Sequence, residues 1–143
     1  MTLGHEKLDV YRLSIEYVAW VYEKSDALTG NHRSARDQWL RANQSIPLNI
    51  AEGNGKTAGA DRRRYFEIAH GSVFECAAIQ DVLVVGKALE EVESQDRKGE
   101  LDRMATMLSR LGGRGYNVRG AAGNQCVKEF DFDSDFDFEK EES

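Results

Sequence analysis

The chain of 143 residues holds one proline, Pro47, and it falls inside a run that otherwise reads as helix. Trp39, Ala42, Ile46 and Ile50 step by three, four and four, the spacing of one helix face. A proline there withholds a backbone donor and crowds the carbonyl of Asn43, which costs about 3 kcal/mol in a plain helix interior. The expectation is a kinked helix with a polar elbow made by Ser45, Asn49 and Glu52. Gly53 and Gly55 are expected to end it. Farther on, Gly71 and Ser72 stand in the middle of a second helical pattern, where glycine costs about 1 kcal/mol relative to alanine. Small residues there would let a backbone come close, and the Pro47 elbow is the expected neighbour.

Three more helical patterns surround this one. The first runs from about Lys7 to Leu28, with Leu8, Tyr11, Ile15, Val18 and Tyr22 as one stripe. Trp20 lies off that stripe and is expected to serve a second contact surface. Thr29-Gly30-Asn31 is a turn. The proline-bearing helix opens at Ser34 as N-cap and runs to Glu52. After a polar loop from Gly53 to Ala60, Asp61 caps a third helix that is expected to reach about Glu93. Tyr65, Ala69, Ser72, Cys76, Ile79 and Leu83 form its stripe, while Phe66, Val73, Val82, Val85 and Leu89 add apolar surface elsewhere. A helix apolar over so wide an arc is central or shared between two interfaces. A fourth opens at Ser94 or Asp96, carries Leu101, Met104, Leu108 and Leu111, and ends at Gly112 and Gly113. No strand signal stands outside the tail. The pattern predicts an all-α protein: an antiparallel up-down four-helix bundle over residues 1–115, then a flexible glycine-rich lead and a disordered acidic C-terminal tail over 116–143.

Charge is distributed unevenly. Residues 121–143 hold eight acids against Lys128 and Lys140, which accounts for the whole net charge of -6; the remaining 17 acids and 17 bases cancel. No run approaches the roughly 20 apolar residues of a membrane span, and Met1 to Lys7 has no apolar leader. Cys76 and Cys126 have neither disulfide-framework nor zinc spacing, so a reduced, cytoplasmic setting is expected.

The candidate chemistry is thin. Arg62, Arg63 and Arg64 at the start of the third helix, with Lys56 before them, form the densest basic cluster. Arg33, Arg36 and Arg41 could face the same way, neutralising phosphates of RNA or DNA, with Tyr65 stacking on a base. The alternative is a solvated face, or salt bridges with Asp61 and Glu67. Gly53-Asn54-Gly55-Lys56-Thr57 is not a phosphate loop, because Ile50 stands where that pattern needs glycine and no strand precedes it. Glu67-Ile68-Ala69-His70 has the Glu-x-x-His spacing of di-iron bundles, but neither His5 nor His32 supplies a second copy, so no metal or cofactor is expected. Glu52 and Glu75 read as carboxylates satisfying the elbow or a facing arginine rather than as an acid/base pair. In the tail, Phe130 to Phe138 alternates aromatic and acid, which suits a solubilising tail or a segment docking on a protein partner or on the basic face of its own assembly.

Ser45-Ile46-Pro47, Asn49-Ile50-Ala51-Glu52-Gly53, the run Arg64-Tyr65-Phe66-x-Ile68-Ala69-x-Gly71-Ser72 and Glu75 together resemble the small four-helix-bundle proteins encoded in intervening sequences of bacterial large-subunit ribosomal RNA genes. The resemblance spans about residues 5 to 115. That family is similar to the accessory variability protein of diversity-generating retroelements, a strongly basic ring-forming bundle that binds nucleic acid and a reverse transcriptase. The resemblance implies a homo-oligomer, with a pentameric ring as its form, and no established activity. Here, in contrast to the basic relative, the body is neutral and the tail acidic. The expected function is a non-catalytic, self-assembling scaffold or binding protein. An RNA- or DNA-binding accessory protein is the alternative, and an enzyme with a carboxylate site the least favoured reading.

Overall fold

A computed structural model describes residues 2–112; the tail from Phe130 to Phe138 lies outside the described residues. A 3-10 turn over Gly4–Lys7 leads into α1 (Asp9–Ser25). A second over Gly30–His32 leads into α2 (Arg33–Asn54), and α3 (Gly59–Val85) and α4 (Glu91–Leu111) complete an all-α four-helix bundle. Residues up to Leu108 form one compact unit.

Side-chain contacts give the helix directions. Trp39 on α2 meets Tyr17 on α1, and Ser72 on α3 meets Ser45 on α2. Gln80 on α3 meets Ser94 on α4, and Glu93 near the start of α4 meets Trp20 near the end of α1. Contacts at the far ends fix the directions: Gly4 before α1 lies against Asn54 at the end of α2, Gly53 near the end of α2 lies against Phe66 near the start of α3, and Val73 of α3 shares a cavity with Ala105 of α4, so successive helices run antiparallel and the fourth closes back on the first.

The helix boundaries differ from the sequence expectation for local reasons. Ser34 is exposed inside α2, whose N-cap is His32. Asp61 lies in the first turn of α3 after the N-cap Ala58, and makes no cap hydrogen bond. α3 stops at Val85 rather than near Glu93. Lys87 takes a left-handed φ of 64°, Ala88 N donates to the Leu83 carbonyl (2.8 Å), and Lys87 N donates to the Val84 carbonyl (3.0 Å). These are the paired bonds of a Schellman ending, with lysine where glycine is usual, so the stop lacked its usual sequence mark. α4 then begins at Glu91, which puts Ser94 on a buried face instead of at a cap.

α1 is turned about its axis relative to the expected stripe. Val10, Ser14, Tyr17 and Val21 face inward, while Ile15 and Tyr22 are 43% and 49% exposed. Trp20, expected on a separate surface, is core, with 4% exposure. The rings bury the largest apolar area, and the polar tips of Tyr17 and Trp20 both find partners inside. Two stripes competed at the same period, and the one carrying these aromatics won.

α2 runs through Pro47 as a helix with the ring buried. The Asn43 amide donates to the carbonyls of Trp39 (2.9 Å) and Leu40 (2.7 Å), and its Oδ1 has no hydrogen-bond partner among the described residues. The close approach of α2 and α3 falls on Gly53 rather than Gly71. Gly53 is buried inside α2, and a Cβ there would lie 2.9 Å from the Phe66 ring and 3.1 Å from Tyr65 Cβ. Gly71 is exposed, and a Cβ there would meet nothing within 4 Å. Gly53→Ala therefore forces a clash against a buried aromatic ring and is expected to destabilise by about 1–3 kcal/mol. Gly71→Ala carries no such clash within the chain. Thermal unfolding should place the Tm of Gly53→Ala clearly below both wild type and Gly71→Ala.

Candidate functional site

The polar elbow exists and is shared by two helices. Asn49 Nδ2 donates to the Ser45 carbonyl (2.8 Å) and to Ser45 Oγ (3.0 Å). Ser72 Oγ on α3 donates to Ser45 Oγ (2.7 Å). The motif residues Ser45, Asn49 and Ser72 thus form one hydrogen-bonded chain beside Pro47, which joins two helices and presents no reactive group. Glu52 is not part of it: its carboxylate pairs with Lys56 Nζ at 3.4 Å on the surface. Glu75 is exposed on α3.

The basic residues divide into two ends and a middle. Arg62 Nη1 donates to the carbonyls of Asn54 (3.2 Å) and Gly53 (3.5 Å), while its guanidinium lies 5.3 Å from the Phe66 ring centre. It caps the C-terminus of α2, where carbonyl dipoles favour a cation. Lys56 and Arg64 sit over the Tyr65 ring at 5.3 and 4.6 Å, so the tyrosine expected to stack on a base already carries two cations. Arg63 is exposed beside them. Arg36 donates to Asp37 Oδ1 and, at 3.4 Å, to the Leu28 carbonyl. With Arg33 it stands at the opposite end of α2, about 30 Å away along a helix rising 1.5 Å per residue. Arg41 is exposed between the two. One continuous patch of all seven cations is therefore not formed.

The most ordered polar arrangement is one that sequence spacing did not reveal. Tyr17 Oη donates to Gln80 Oε1 (2.5 Å) and accepts from Trp39 Nε1 (3.1 Å). Gln80 Nε2 donates to the carbonyl and hydroxyl oxygens of Ser94, both at 3.0 Å. All four helices contribute, and each polar side chain is buried. Beside it, Trp20 Nε1 donates to Glu93 Oε2 (2.8 Å), Lys24 Nζ lies 2.9 Å from the same oxygen, and Arg97 covers the Trp20 ring at 5.0 Å. Burial raises the Glu93 carboxyl, but the bonds from Trp20 and Lys24 and the charge of Arg97 together hold it below its usual value. Burial drives the Tyr17 phenol well above its ordinary value, with Cys76 adding to the rise. Burial likewise pushes the Cys76 thiol up to about 12. Tyr17 and Cys76 thus hold their protons inside the bundle, whereas Glu93 is ionised and tied to Trp20 and Lys24. Among the described residues no group of three or more His, Cys, Asp or Glu is placed to hold a metal ion.

Two surfaces are left apolar and open. A cavity of about 210 Å³ between α3 and α4 is lined by Val73, Phe74, Ala77, Leu101 and Ala105, with Lys98 and Asp102 at its edge. On α3, Ile68, Gly71, Glu75, Ala78, Val82 and Val85 step by three and four along an exposed stripe, with Val82 60% and Val85 82% exposed. Among the described residues α3 is long and apolar enough, by length and composition only, to cross a membrane: an 18-residue window of it has a mean hydropathy of 1.4. Its other side is the core of the bundle.

The model of the 23S rRNA-intervening sequence protein family matches residues 6–110. A crystal structure of a protein of unknown function from the S23 ribosomal protein family of Bacteroides thetaiotaomicron is similar, with a TM-score of 0.67 at 18% identity. The match covers 73% of this chain and 95% of that one, and shows a common fold. No curated protein matches.

The raised groups give a pH dependence with a definite sign. Cys76 keeps its proton in the fold up to about pH 12 and loses it in the unfolded chain from about its ordinary 9.0. Between those values the folded state binds more protons, so stability, complete below pH 9, falls as pH rises. Tyr17 acts in the same direction at higher pH. Denaturant melts from pH 8 to 11 should show declining stability with a shallower slope for Cys76→Ala.

Proposed function

Because the chain belongs to the 23S rRNA-intervening sequence protein family, we propose that it works as a non-catalytic, homo-oligomeric scaffold or binding protein. The observation that carries this reading is the exposed stripe of α3. Ile68, Ala78, Val82 and Val85 form a row on α3 that the chain leaves open to solvent, with Val82 and Val85 60% and 82% exposed. Contiguous apolar surface of that kind marks contact with another molecule. The side chains with strongly raised pKa values support a non-catalytic role, since Tyr17 and Cys76 are enclosed by the helices they join. The pentameric ring implied by resemblance is one closed form that such an assembly can take. Light scattering at micromolar protein should return a multiple of the 16.1 kDa chain mass, and a monomeric mass would end this reading.

A second reading, binding of RNA or DNA, is favoured by one feature. Arg63 and Arg64 are exposed together on the first turns of α3, with Lys56 facing them across the loop from α2. Cations so placed can neutralise phosphates, and each contact would add to the salt dependence. The acidic tail would oppose this by competing for the same cations. A salt titration against generic RNA should show binding that weakens with salt, tightens on deletion of residues 121–143 and drops in Arg63→Ala/Arg64→Ala. No binding at low salt, with or without the tail, removes the nucleic-acid reading and leaves the scaffold reading intact.

A further inference from the structure

The chain carries a second apolar surface, on other helices. Ile15 and Tyr22 lie two turns apart on α1, and Leu48 on α2 is 65% exposed. Gln44 Nε2 donates to Tyr22 Oη at 2.9 Å, so α1 and α2 meet along this seam. Arg41, Gln44 and Leu48 step by three and four, which places the Arg41 cation on the outer side of α2 with Leu48.

We infer that copies of the chain join face to seam: the α3 stripe of one copy seats on the α1/α2 seam of the next, with Glu75 meeting Arg41. This rests on the self-assembly reading and specifies its contact. The charges decide between this and a symmetric pairing. Glu75 sits in the middle of the α3 stripe, and neither Glu75 nor Arg41 makes an ion pair among the described residues. Pairing two α3 stripes antiparallel, so that position 68 meets position 85, would set each Glu75 opposite Ala78 of the other copy, leaving two carboxylates within about one helical turn of each other in the middle of an apolar contact with no cation. A buried charge without a partner is costly. It would also leave Ile15, Tyr22 and Leu48 uncovered. Face-to-seam contact covers both apolar surfaces and gives the central carboxylate a guanidinium. Gly71 and Ala78 supply the shallow part of the stripe, where a Cβ at Gly71 meets no atom of its own chain and bulky seam side chains can enter. Such a contact joins unlike patches, so each copy has one face to give and one to receive, and assembly closes into a ring or continues as a filament.

Complementation between two variants tests this. Val82→Asp spoils only the stripe and Leu48→Asp only the seam; both positions are exposed, and circular dichroism should show both folded. Each variant alone should be monomeric by light scattering. Mixed one to one, they should form a dimer of about twice 16.1 kDa, because the intact stripe of one meets the intact seam of the other. Glu75→Arg and Arg41→Glu should each weaken wild-type assembly at least tenfold in concentration, and the double variant should restore it. If wild type assembles but the mixed variants stay monomeric, or if Leu48→Asp still assembles alone, the face-to-seam contact is wrong while self-assembly stands. If wild type is itself monomeric, both readings fall.

Discussion

The bundle depends on a hydrogen-bonded knot at its centre. Tyr17, Trp39, Gln80 and Ser94 come one from each helix, and every polar atom in the chain of bonds faces another member rather than water. Apolar side chains would fill the same space but would not choose a register, because greasy surfaces slide against one another at little cost. A buried amide that must meet both a phenol and a serine permits one axial position for each helix. The knot therefore explains why α1 presents Tyr17 and Trp20 inward although another stripe has the same spacing. It also draws Glu93 and Arg97 around Trp20, so the closing helix is fixed by aromatic and ionic contacts together.

The helices and the all-α class were legible because apolar spacing is a local property, and four stripes with polar loops between them have few packing solutions. The α2 face of Trp39, Ala42, Ile46 and Ile50 is buried as its spacing predicts, and so are Ala69, Ser72, Cys76, Ile79 and Leu83 of the expected α3 stripe, but Tyr65 at its head is only half-buried while Phe66 and Val73, expected on other sides, are core. The joint between Ser45, Asn49 and Ser72 was legible in kind, since a proline in a helix asks for polar neighbours and a small partner. The central knot was not. Its partners stand 63 and 22 residues apart, and nothing in a single chain marks Gln80 as the mate of Tyr17. Helix ends failed where the chemistry departed from custom, as at Lys87, which takes a conformation usually left to glycine.

The glycines show how the same residue can be misread. Gly53 looked like a helix stop and Gly71 like a packing notch. The stop is a contact point under Phe66, and the notch opens to solvent. A side-chain-free position says only that something needs the space or the freedom; the neighbouring helix decides which. Arg62 teaches a related lesson about charge. As one of three consecutive arginines it suggests a phosphate contact, yet it is consumed by the end of α2. The charge available to a ligand at that corner is smaller than a count along the chain indicates.

The bond from Trp20 to Glu93 spans 73 residues, and the charge of Lys24 is committed to the same carboxylate. On a ribosome, the first three helices emerge while this tryptophan still has no acceptor and Gln80 still lacks its serine. Three helices without the fourth leave the polar tips of Trp20 and Gln80 short of their partners, so the centre stays thirsty until the last rod arrives. Completion of the core is thereby deferred until the fourth helix has been made and can bring Glu93 to the indole and Ser94 to the buried amide.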